Sequence, residues 1–333
     1  MKDVSVARAN ACPLVSIVVP FYNEETVISQ FFPTVIDVLQ TTGLEWEIVC
    51  VDDGSRDRTL ECLLAVARVN PSVKVLQLSR NFGKEAALTA GIDASLGDVV
   101  ILIDADLQDP PELIIQMLEK WREGYDVVYG VRQSRDRDSL GRRISADGFY
   151  RIFNRLTPTP MPANAGDFRL MDRRVVDRVR ELPERTRFMK GLFAWVGFKS
   201  IAIAYERPGR VAGHSAWGYW KLWNFALDGL TSFSTMPLRI WTYIGLTVSL
   251  LSFLYASFLV FRTLVVGVDL PGYASLMVVI LFLGGIQLIS LGVIGEYLGR
   301  VFIEVKQRPV YLVDRVYQFG PDGADAPAEQ PAP

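Results

Sequence analysis

The apolar residues of this chain are concentrated after position 236, in two long apolar segments, 240–261 and 273–298. Each segment has roughly the 20 residues that a helix needs to cross a hydrocarbon core of about 30 Å. Because the link between them, 262–272, is short, they predict a hairpin of two transmembrane helices. Arg239 precedes the first segment and Arg300 follows the second. The positive-inside rule therefore predicts that both ends of the hairpin lie in the cytoplasm.

The first dozen residues lack the basic-then-apolar order of a signal peptide, so we expect the large N-terminal part to stay in the cytoplasm. The predicted organisation along the chain is a flexible N-terminus at 1–13, an α/β domain at 14–215, an interfacial amphipathic helix at 216–236, two transmembrane helices within 237–300, and a cytoplasmic tail at 301–333 that is disordered after about 320.

Upstream of the hairpin, short apolar runs alternate with segments long enough for a helix. The runs occupy 15–20, 47–51, 73–78, 99–103 and 126–129. Continuous apolar runs separated by helices predict a mostly parallel sheet covered on both faces. The first four runs are each followed by polar residues, and such sheets bind ligands at the carboxyl ends of their strands. No G-x-G-x-x-G pattern follows the first run, which disfavours a dinucleotide-binding domain.

Two further segments, 139–156 and 217–233, mix aromatic and aliphatic residues with arginine or lysine. This composition predicts amphipathic helices lying in a membrane interface. Packing of either segment against the soluble domain is the alternative. Neither reading of these two segments changes the predicted sheet of the α/β domain.

Charge and composition exclude several kinds of site. The formal net charge of −2 creates no global field that would attract nucleic acid. His214 is the only histidine, which excludes a histidine-based metal cluster and a Ser-His-Asp triad. Cys12, Cys50 and Cys62 are odd in number and lack metal-type spacing, so they predict free thiols in a reducing compartment.

The segment 104–109, D-A-D-L-Q-D, closes the fourth apolar run. Paired carboxylates at the end of a buried strand require a cation or hydrogen-bond donors. Carboxylate and amide oxygens suit Mg²⁺ or Mn²⁺, so Asp104, Asp106 and Gln108 are the predicted metal ligands. A helix start in which Asp109 caps and Pro110 takes the first helical position is the structural reading of this segment, and it is compatible with metal binding by the other three residues.

At this point the sequence resembles the family 2 glycosyltransferases of GT-A fold. Within them it is similar to the polyprenyl-phosphate glycosyltransferases, namely bactoprenol glucosyltransferases and dolichol-phosphate mannose synthases. The resemblance covers about 14–315 and is carried by V-S-I-V-V-P-F-Y-N-E-E (15–25), V-D-D-G-S-R-D (51–57), S-R-N-F-G-K-E-A-A-L-T-A-G (79–91), D-A-D-L-Q-D-P-P-E (104–112), G-Y-D-V-V-Y-G-V-R (124–132), A-G-D-F-R-L-M-D-R (165–173), R-F-M-K-G-L-F-A-W-V-G (187–197) and L-D-G-L-T-S-F-S-T-M-P-L-R (227–239).

The resemblance implies three groups of site residues. The nucleotide-sugar site would be formed by Pro20, Tyr22, Glu24, Asp53, Arg80, Asn81, Gly83, Lys84, Asp104 and Ala105. Asp104, Asp106 and Gln108 would hold Mg²⁺ or Mn²⁺ on the diphosphate. The catalytic group would comprise Asp167, Arg169, Arg132, Arg210, Ser215 and Ala216.

The implied reaction is sugar transfer with inversion from a nucleotide-sugar to a polyprenyl phosphate. The acceptor phosphate is already anionic near neutral pH, so a strong general base is dispensable and Asp167 is a candidate base or orienting group. Arginines are required because donor diphosphate and acceptor phosphate repel each other, and Arg169 and Arg210 are the candidates for binding the acceptor. A solvated surface charge is the alternative for Arg210.

One position departs from the family pattern. The family reads A-G-x-S-K, whereas this chain reads A-G-H-S-A-W at 212–217, with Ala216 in place of the lysine. Natural drift and an engineered, disabling change both account for this alanine. A catalytically impaired membrane scaffold that binds nucleotide-sugars is therefore the alternative to an active transferase.

The resemblance favours UDP-glucose as donor and leaves UDP-N-acetylglucosamine, another UDP-sugar and GDP-mannose open. A processive polysaccharide synthase is disfavoured, because the chain lacks a Q-x-x-R-W motif and has too few spans for a channel. The expected partners are the donor, the polyprenyl phosphate and the lipid of a bacterial cytoplasmic membrane, with no nucleic acid. Glycines along the second span and the family resemblance favour a homo-oligomer, with a tetramer as one form.

Overall fold

The computed structural model describes residues 12–132, 165–206, 236–266 and 272–320, together with Arg8 and Arg155. The strands are β1 (Val15–Phe21), β2 (Trp46–Asp52), β3 (Val73–Leu78), β4 (Val99–Leu102), β5 (Val127–Arg132), β6 (Ala165–Asp172), β7 (Ser200–Tyr205) and β8 (Val313–Gln318). The helices are α1 (Ile28–Thr42), α2 (Thr59–Val69), α3 (Lys84–Ala94), α4 (Leu113–Arg122), α5 (Arg173–Glu181), α6 (Met189–Trp195), α7 (Met236–Val266) and α8 (Tyr273–Lys306).

The described strands form one sheet in the order β7-β5-β6-β4-β1-β2-β3-β8. The central strands β4, β1, β2 and β3 are parallel to one another, as the alternation of apolar runs and helices predicts. Each of the five predicted runs overlaps an observed strand, from β1 to β5. The predicted mixed α/β fold is therefore confirmed.

Alternate side chains of each central strand enter two different cores. On β1, Ile17 belongs to one core and its neighbour Val18 to the other, and both are fully buried. Helices α1, α2 and α4 cover the first face, and α3, α5 and α6 cover the second. Burial on both faces is the reason that these strands are continuous apolar runs without polar alternation.

Strand β6 was not predicted, and it decides where the candidate catalytic residues lie. It inserts antiparallel between β4 and β5, with Leu102 paired to Arg169 and Val127 paired to Met171. Its sequence contains charged residues within a short apolar stretch, so it lacks the continuous apolar character of the central strands. Only pairing with β4 and β5 identifies it as part of the sheet.

Part of the predicted tail at 301–333 belongs to the sheet. Helix α8 continues to Lys306, and β8 pairs antiparallel with β3 at the sheet edge. Tyr317 lies opposite Val75, and Phe319 is buried in the core. The chain thus returns from the hairpin to the α/β domain and covers an edge strand that would otherwise present unpaired backbone groups.

Within the predicted flexible N-terminus, the structure describes Arg8. Its guanidinium is buried, forms an ion pair with Asp126 at 2.9 Å and another with Asp172, and lies 5.1 Å from the centre of the Trp121 ring. This pairing anchors the buried Arg8 side chain to Asp126 and Asp172. Hydropathy alone does not reveal such an anchor.

Both predicted apolar segments form helices, which contact each other as a hairpin. Within the described parts of the chain, Phe282–Lys306 is the stretch that is long and apolar enough to span a membrane, and α7 contains the shorter apolar stretch Tyr243–Tyr255. Many of the large apolar side chains of both helices are exposed, including Phe253 and Leu288. Crossing of the membrane by both helices stays a prediction.

Several predictions lie outside the described residues. They are the amphipathic segments 139–156 (apart from Arg155) and 217–233, the interfacial helix at 216–236 apart from Met236, His214, and the candidate site residues Arg210, Ser215 and Ala216. Of the three cysteines, all of which are described, none forms a disulfide, as predicted.

Candidate active site

The loops that follow β1 and β2 hold each other through backbone amides. Asn23 donates its N–H to Ser55 Oγ at 3.0 Å, and the Asn23 side-chain oxygen accepts from the N–H of Arg56 at 2.8 Å. Glu24 N–H donates to Thr59 Oγ1 at 2.8 Å. Because small polar side chains satisfy these amides, the two strand ends form one rigid rim of the crevice.

Asp53 joins this rim to the loop that follows β3. Its two buried carboxylate oxygens accept from the N–H groups of Phe82 at 2.7 Å and Gly83 at 2.9 Å. Gly54 makes the close approach possible, because it has φ +64° and a Cβ there would lie 2.6 Å from the Arg80 carbonyl carbon. The resemblance implies that Asp53 binds the base of the nucleotide. In the structure its carboxylate holds the loop that follows β3.

Lys84, the first residue of α3, connects the ends of β4 and β6. Its Nζ lies 2.7 Å from Asp104 Oδ1 and 2.6 Å from Asp167 Oδ2. Continuing the β4–β6 register by two residues from the Leu102–Arg169 pair also brings Asp104 opposite Asp167. The structure therefore brings together three residues that sequence analysis assigned to two separate groups.

The charges in this cluster shift the pKa values of its members. Partial burial acts to lower the pKa of Lys84, but Asp104 and Asp167 outweigh it and raise that pKa above its usual range. Burial acts to raise the pKa of Asp167, but the positive charges of Lys84 and Lys190 hold it below its usual range. At neutral pH the cluster thus contains an ammonium between two carboxylates.

Glu85 is a site residue that sequence analysis missed. Burial, followed by the negative charge of Asp167, raises the pKa of Glu85 to about 7. Its Oε2 accepts from the N–H of Met189, the first residue of α6, at 3.2 Å. The motif at 79–91 contains Glu85, but nothing in the sequence indicates that its side chain turns toward α6.

Arg169 lies on the same side of β6 as Asp167, because alternate residues of a strand share a face. Its guanidinium is buried, donates to the carbonyl oxygen of Gly166 at 2.9 Å, and lies 4.0 Å from the centre of the Phe193 ring. Helix α6 therefore packs against the Arg169 guanidinium. Like β6, this helix is an element whose contribution to the site was not predicted from the sequence.

Arg132, at the end of β5, belongs to a second polar group. Tyr205 Oη donates to Asp109 Oδ1, and Arg132 hydrogen-bonds to Tyr205. The predicted capping role of Asp109 is wrong, because this carboxylate is buried against Tyr205 and α4 begins at Leu113 with Glu112 at its N-cap. Burial, and then the adjacent Asp109 charge, raise the pKa of Tyr205.

The acidic turn after β4 carries the predicted metal ligands. Asp106 Oδ1 accepts from the N–H of Gln108 at 3.2 Å, and Leu107 between them has φ +52°. Gln108 is buried, and its side-chain oxygen Oε1 has no hydrogen-bond partner among the residues described. A buried acceptor without a donor, beside two carboxylates, fits an oxygen-preferring divalent cation. No cluster of three His, Cys, Asp or Glu suited to a metal occurs in the described ranges.

Comparisons with known proteins agree with the fold and with the hairpin. A family model described as glycosyl transferase family 2 matches 16–180, and another described as GtrB C-terminal hairpin matches 236–301. An uncharacterized glycosyltransferase of Synechocystis is 57% identical over 302 residues, which cover 91% of this chain and 95% of the relative. The chain belongs to glycosyl transferase family 2.

Other relatives and structures are also similar to this glycosyltransferase. A prophage-derived bactoprenol glucosyl transferase of Shigella flexneri is 49% identical over 307 residues, covering 92% of this chain and 99% of the relative. Among solved structures, mannosyl-3-phosphoglycerate synthase from Rubrobacter xylanophilus has a TM-score of 0.49 at 18% identity, covering 68% of this chain and 74% of that one. The hairpin and its apolar helix associate the glycosyltransferase with a membrane.

The remaining predicted donor residues of the glycosyltransferase lie at or after the carboxyl ends of β1, β3 and β4. Tyr22 is 41% exposed, and the Arg80 guanidinium donates to the Asn81 carbonyl oxygen at 3.0 Å and stacks 4.0 Å from the Phe82 ring centre. Pro20 lies beyond the part of β1 that pairs with β4. Ala105 is buried between the two aspartates.

Proposed function

We propose that this glycosyltransferase transfers glucose from UDP-glucose to a polyprenyl phosphate, with inversion at the sugar carbon and with a divalent metal ion. The observation that carries the proposal is similarity to the S. flexneri bactoprenol glucosyl transferase, at 49% identity over 99% of that relative. Bactoprenol is a polyprenyl lipid, so the name of this relative supports both the sugar and the acceptor. The hairpin supports an acceptor that is embedded in a membrane.

The charges of the site suit a reaction between two phosphorylated substrates. A donor diphosphate and an acceptor phosphate repel each other, and cations must offset this repulsion. Lys84 lies at the centre of the described cluster, Arg169 flanks it on β6, and Arg132 ends β5. We assign Arg132 to phosphate charge and Arg169 to the acceptor side.

Asp167 acts in this proposal as an orienting group. A carboxylate whose pKa lies below its usual range is a weak base, and Asp167 is already held by Lys84 at 2.6 Å. The acceptor phosphate carries its own negative charge near neutral pH, because the second pKa of such groups lies near about 6. The nucleophilic oxygen therefore needs correct placement more than it needs deprotonation.

Asp104, Asp106 and Gln108 would hold the divalent cation. When bound there, it would supply positive charge beside the diphosphate that leaves with the nucleoside. The unpaired, buried Gln108 Oε1 and the adjacent carboxylates support this assignment for Mg²⁺ or Mn²⁺. Lys84 Nζ lies 2.7 Å from Asp104 Oδ1 and 2.8 Å from its Oδ2, and its positive charge limits repulsion between the acidic groups.

We also propose that both hairpin helices cross the membrane and that the α/β domain and both termini lie in the cytoplasm. The basic residues Lys306, at the end of α8, and Arg308, just after it, agree with the positive-inside rule for a cytoplasmic end. Strand β8 begins seven residues after the end of the helix and belongs to the sheet, which supports a catalytic domain on that same side.

Product formation by purified protein in detergent tests the proposal. Polyprenyl phosphate and Mn²⁺ are supplied with UDP-glucose, UDP-N-acetylglucosamine or GDP-mannose, for this chain and for Ala216→Lys. A glucose-linked lipid that is lost in Asp106→Ala supports the proposal, and a product from another donor overturns the choice of sugar. If neither form makes product while both bind UDP-glucose, the chain is a nucleotide-sugar-binding scaffold and not an active transferase.

A further inference from the structure

Glu304, in the last turn of α8, contacts the α/β domain through backbone amides. Its Oε1 accepts from the N–H of Arg185 at 2.9 Å and from the N–H of Thr186 at 3.2 Å, and its Oε2 lies 3.1 Å from the Arg185 nitrogen. Two adjacent amides that converge on one carboxylate form a charge-assisted contact of defined geometry. A residue of the hairpin thus holds a loop of the catalytic domain, 119 positions away in sequence.

The loop held by Glu304 leads directly into α6. We name residues 185–189 the strap; its far end is Met189, whose N–H donates to Glu85 at 3.2 Å. Between the two ends, Phe188 is buried in the domain. The strap is therefore held at one end by a carboxylate of the hairpin and at the other by a carboxylate of the active-site cluster.

Helix α6 transmits the position of the strap to the acceptor side of the site. Phe193 of α6 lies under the Arg169 guanidinium at 4.0 Å, and Lys190 of α6 contributes positive charge at Asp167. A shift of the strap would move both groups relative to β6. It would leave the loops that follow β1 and β2 in place, because their contacts are made with each other.

We infer that Glu304 is a positioning residue that couples the membrane hairpin to the acceptor side of the active site through the strap and α6. This inference rests on the proposed transfer to a lipid phosphate. Only if the hairpin holds the acceptor does the reaction require a fixed position of the hairpin relative to Arg169. The contact links the element that associates with the membrane to the side chain assigned to the acceptor phosphate.

Other contacts keep the hairpin attached when Glu304 is changed. The Tyr311 hydroxyl donates to Asp93 at 2.8 Å, the Leu312 carbonyl oxygen accepts from the N–H of Ser79 at 2.9 Å, and β8 pairs with β3. Loss of Glu304 therefore should loosen the Arg185–Thr186 end of the strap without detaching the domain. Glu296 provides a matched control, because it lies two turns earlier on α8 and pairs only across the helix surface with Arg300, at 3.1 Å.

Hydrogen–deuterium exchange of the full-length protein in detergent tests the contact. In Glu304→Ala we expect the amides of the strap to exchange about tenfold faster, the factor for losing roughly one net hydrogen bond. The amides of α6 should exchange faster as well. Glu304→Gln should retain most of the protection, because the amide oxygen still accepts, and Glu296→Ala should match the parent chain. Unchanged exchange in Glu304→Ala overturns the inference, whether or not the protein transfers sugar.

Steady-state kinetics on the same variants test the coupling to the acceptor. We expect Glu304→Ala to lower kcat/KM for polyprenyl phosphate about tenfold while the KM for the nucleotide-sugar stays unchanged, because binding groups on the donor rim are untouched. An equal loss of kcat/KM for both substrates would overturn the coupling. So would an unchanged kcat/KM for polyprenyl phosphate in a variant whose strap amides exchange faster. If the parent chain transfers no sugar from any donor, the result counts against the proposed function. The coupling is then tested by hydrogen–deuterium exchange of the α6 amides alone.

Discussion

Lys84 Nζ lies 2.6 Å from Asp167 Oδ2, although 83 residues separate the two along the chain. The same nitrogen lies 2.7 Å from Asp104 Oδ1, at the end of the neighbouring strand. One ammonium thus holds a residue of the predicted donor site beside a residue of the predicted catalytic group. Because this cation offsets two carboxylates, its removal should affect the site more than the loss of a surface charge.

Lys84→Met should lower kcat/KM for sugar transfer by at least about 100-fold, comparable to loss of a preorganised electrostatic group. The substitution keeps much of the side-chain volume and leaves Asp104 and Asp167 without their shared cation. Lys120→Met is the control, since Lys120 forms an i,i+3 pair with Glu123 on the surface of α4, at 2.7 Å. Transfer of labelled sugar measures both, and parent-like activity of Lys84→Met would contradict a role for this ammonium.

Removal of divalent metal should abolish transfer, and Mn²⁺ or Mg²⁺ should restore it. Binding of Mn²⁺ followed by electron paramagnetic resonance should weaken at least about tenfold in Asp106→Ala and in Gln108→Ala, since even outer-shell partners of metal ligands contribute that much. Asp177→Asn, an exposed carboxylate of α5 outside the site, should bind Mn²⁺ like the parent chain. Full activity after exhaustive chelation would disprove the metal site.

Gly54→Ala should destabilise the fold more than Gly43→Ala, although the two glycines have φ values of +64° and +66°. Each substitution incurs the left-handed backbone strain, about 1–2 kcal/mol. At Gly54 the new Cβ also meets the Arg80 backbone at 2.6 Å, whereas at Gly43 nothing lies within 4 Å. Overpacking of this kind costs about 1–3 kcal/mol more.

Thermal unfolding of the two glycine variants in detergent gives the comparison. A lower midpoint for Gly54→Ala than for Gly43→Ala is expected, with the difference arising from the contact with Arg80. Equal midpoints would show that the loop after β3 moves aside at no cost. Donor binding by Gly54→Ala would then report whether that movement reaches the rim of the crevice.

Glu85→Gln should raise stability at pH 8 and leave it unchanged at pH 5. Burial raises the pKa of Glu85 to about 7, above its unfolded value, so the folded state binds the extra proton between about pH 4.5 and 7. Stability of the parent chain is therefore lost as pH rises through this window, by about 1–3 kcal/mol. Glutamine mimics the protonated form and can still accept from the Met189 N–H.

The difference in unfolding midpoint between Glu85→Gln and the parent chain, measured at both pH values, checks this sign. Glu123→Gln, at an exposed position of α4, controls for the general effect of removing a carboxylate. A gain that is equal at pH 5 and pH 8 would contradict titration of Glu85 as the cause. A gain in stability that appears only at pH 8 would show that Glu85 takes up its proton in the folded protein.

Strongly patterned elements could be predicted from the sequence, and irregular ones could not. The five apolar runs correspond to strands, because burial on both faces demands continuous apolar residues. Strands β6, β7 and β8 escaped prediction, since the first contains charged residues, the second is exposed at alternate positions, and the last lies after the hairpin. The anchor at Arg8 and the role of Asp109 likewise depend on partners that are distant in sequence.

The sequence by itself determined the α/β class, the apolar hairpin, the family and the strand ends at which Asp53 and Asp104 lie. These depend on local pattern and on residue identity, both of which are present in the linear chain. The tertiary structure alone decided that Lys84 joins Asp104 to Asp167, that Glu85 holds α6, and that Glu304 reaches the strap from the hairpin. Each of these depends on the antiparallel insertion of β6 or on the return of the chain after α8, and pairings so distant in sequence leave no local signal.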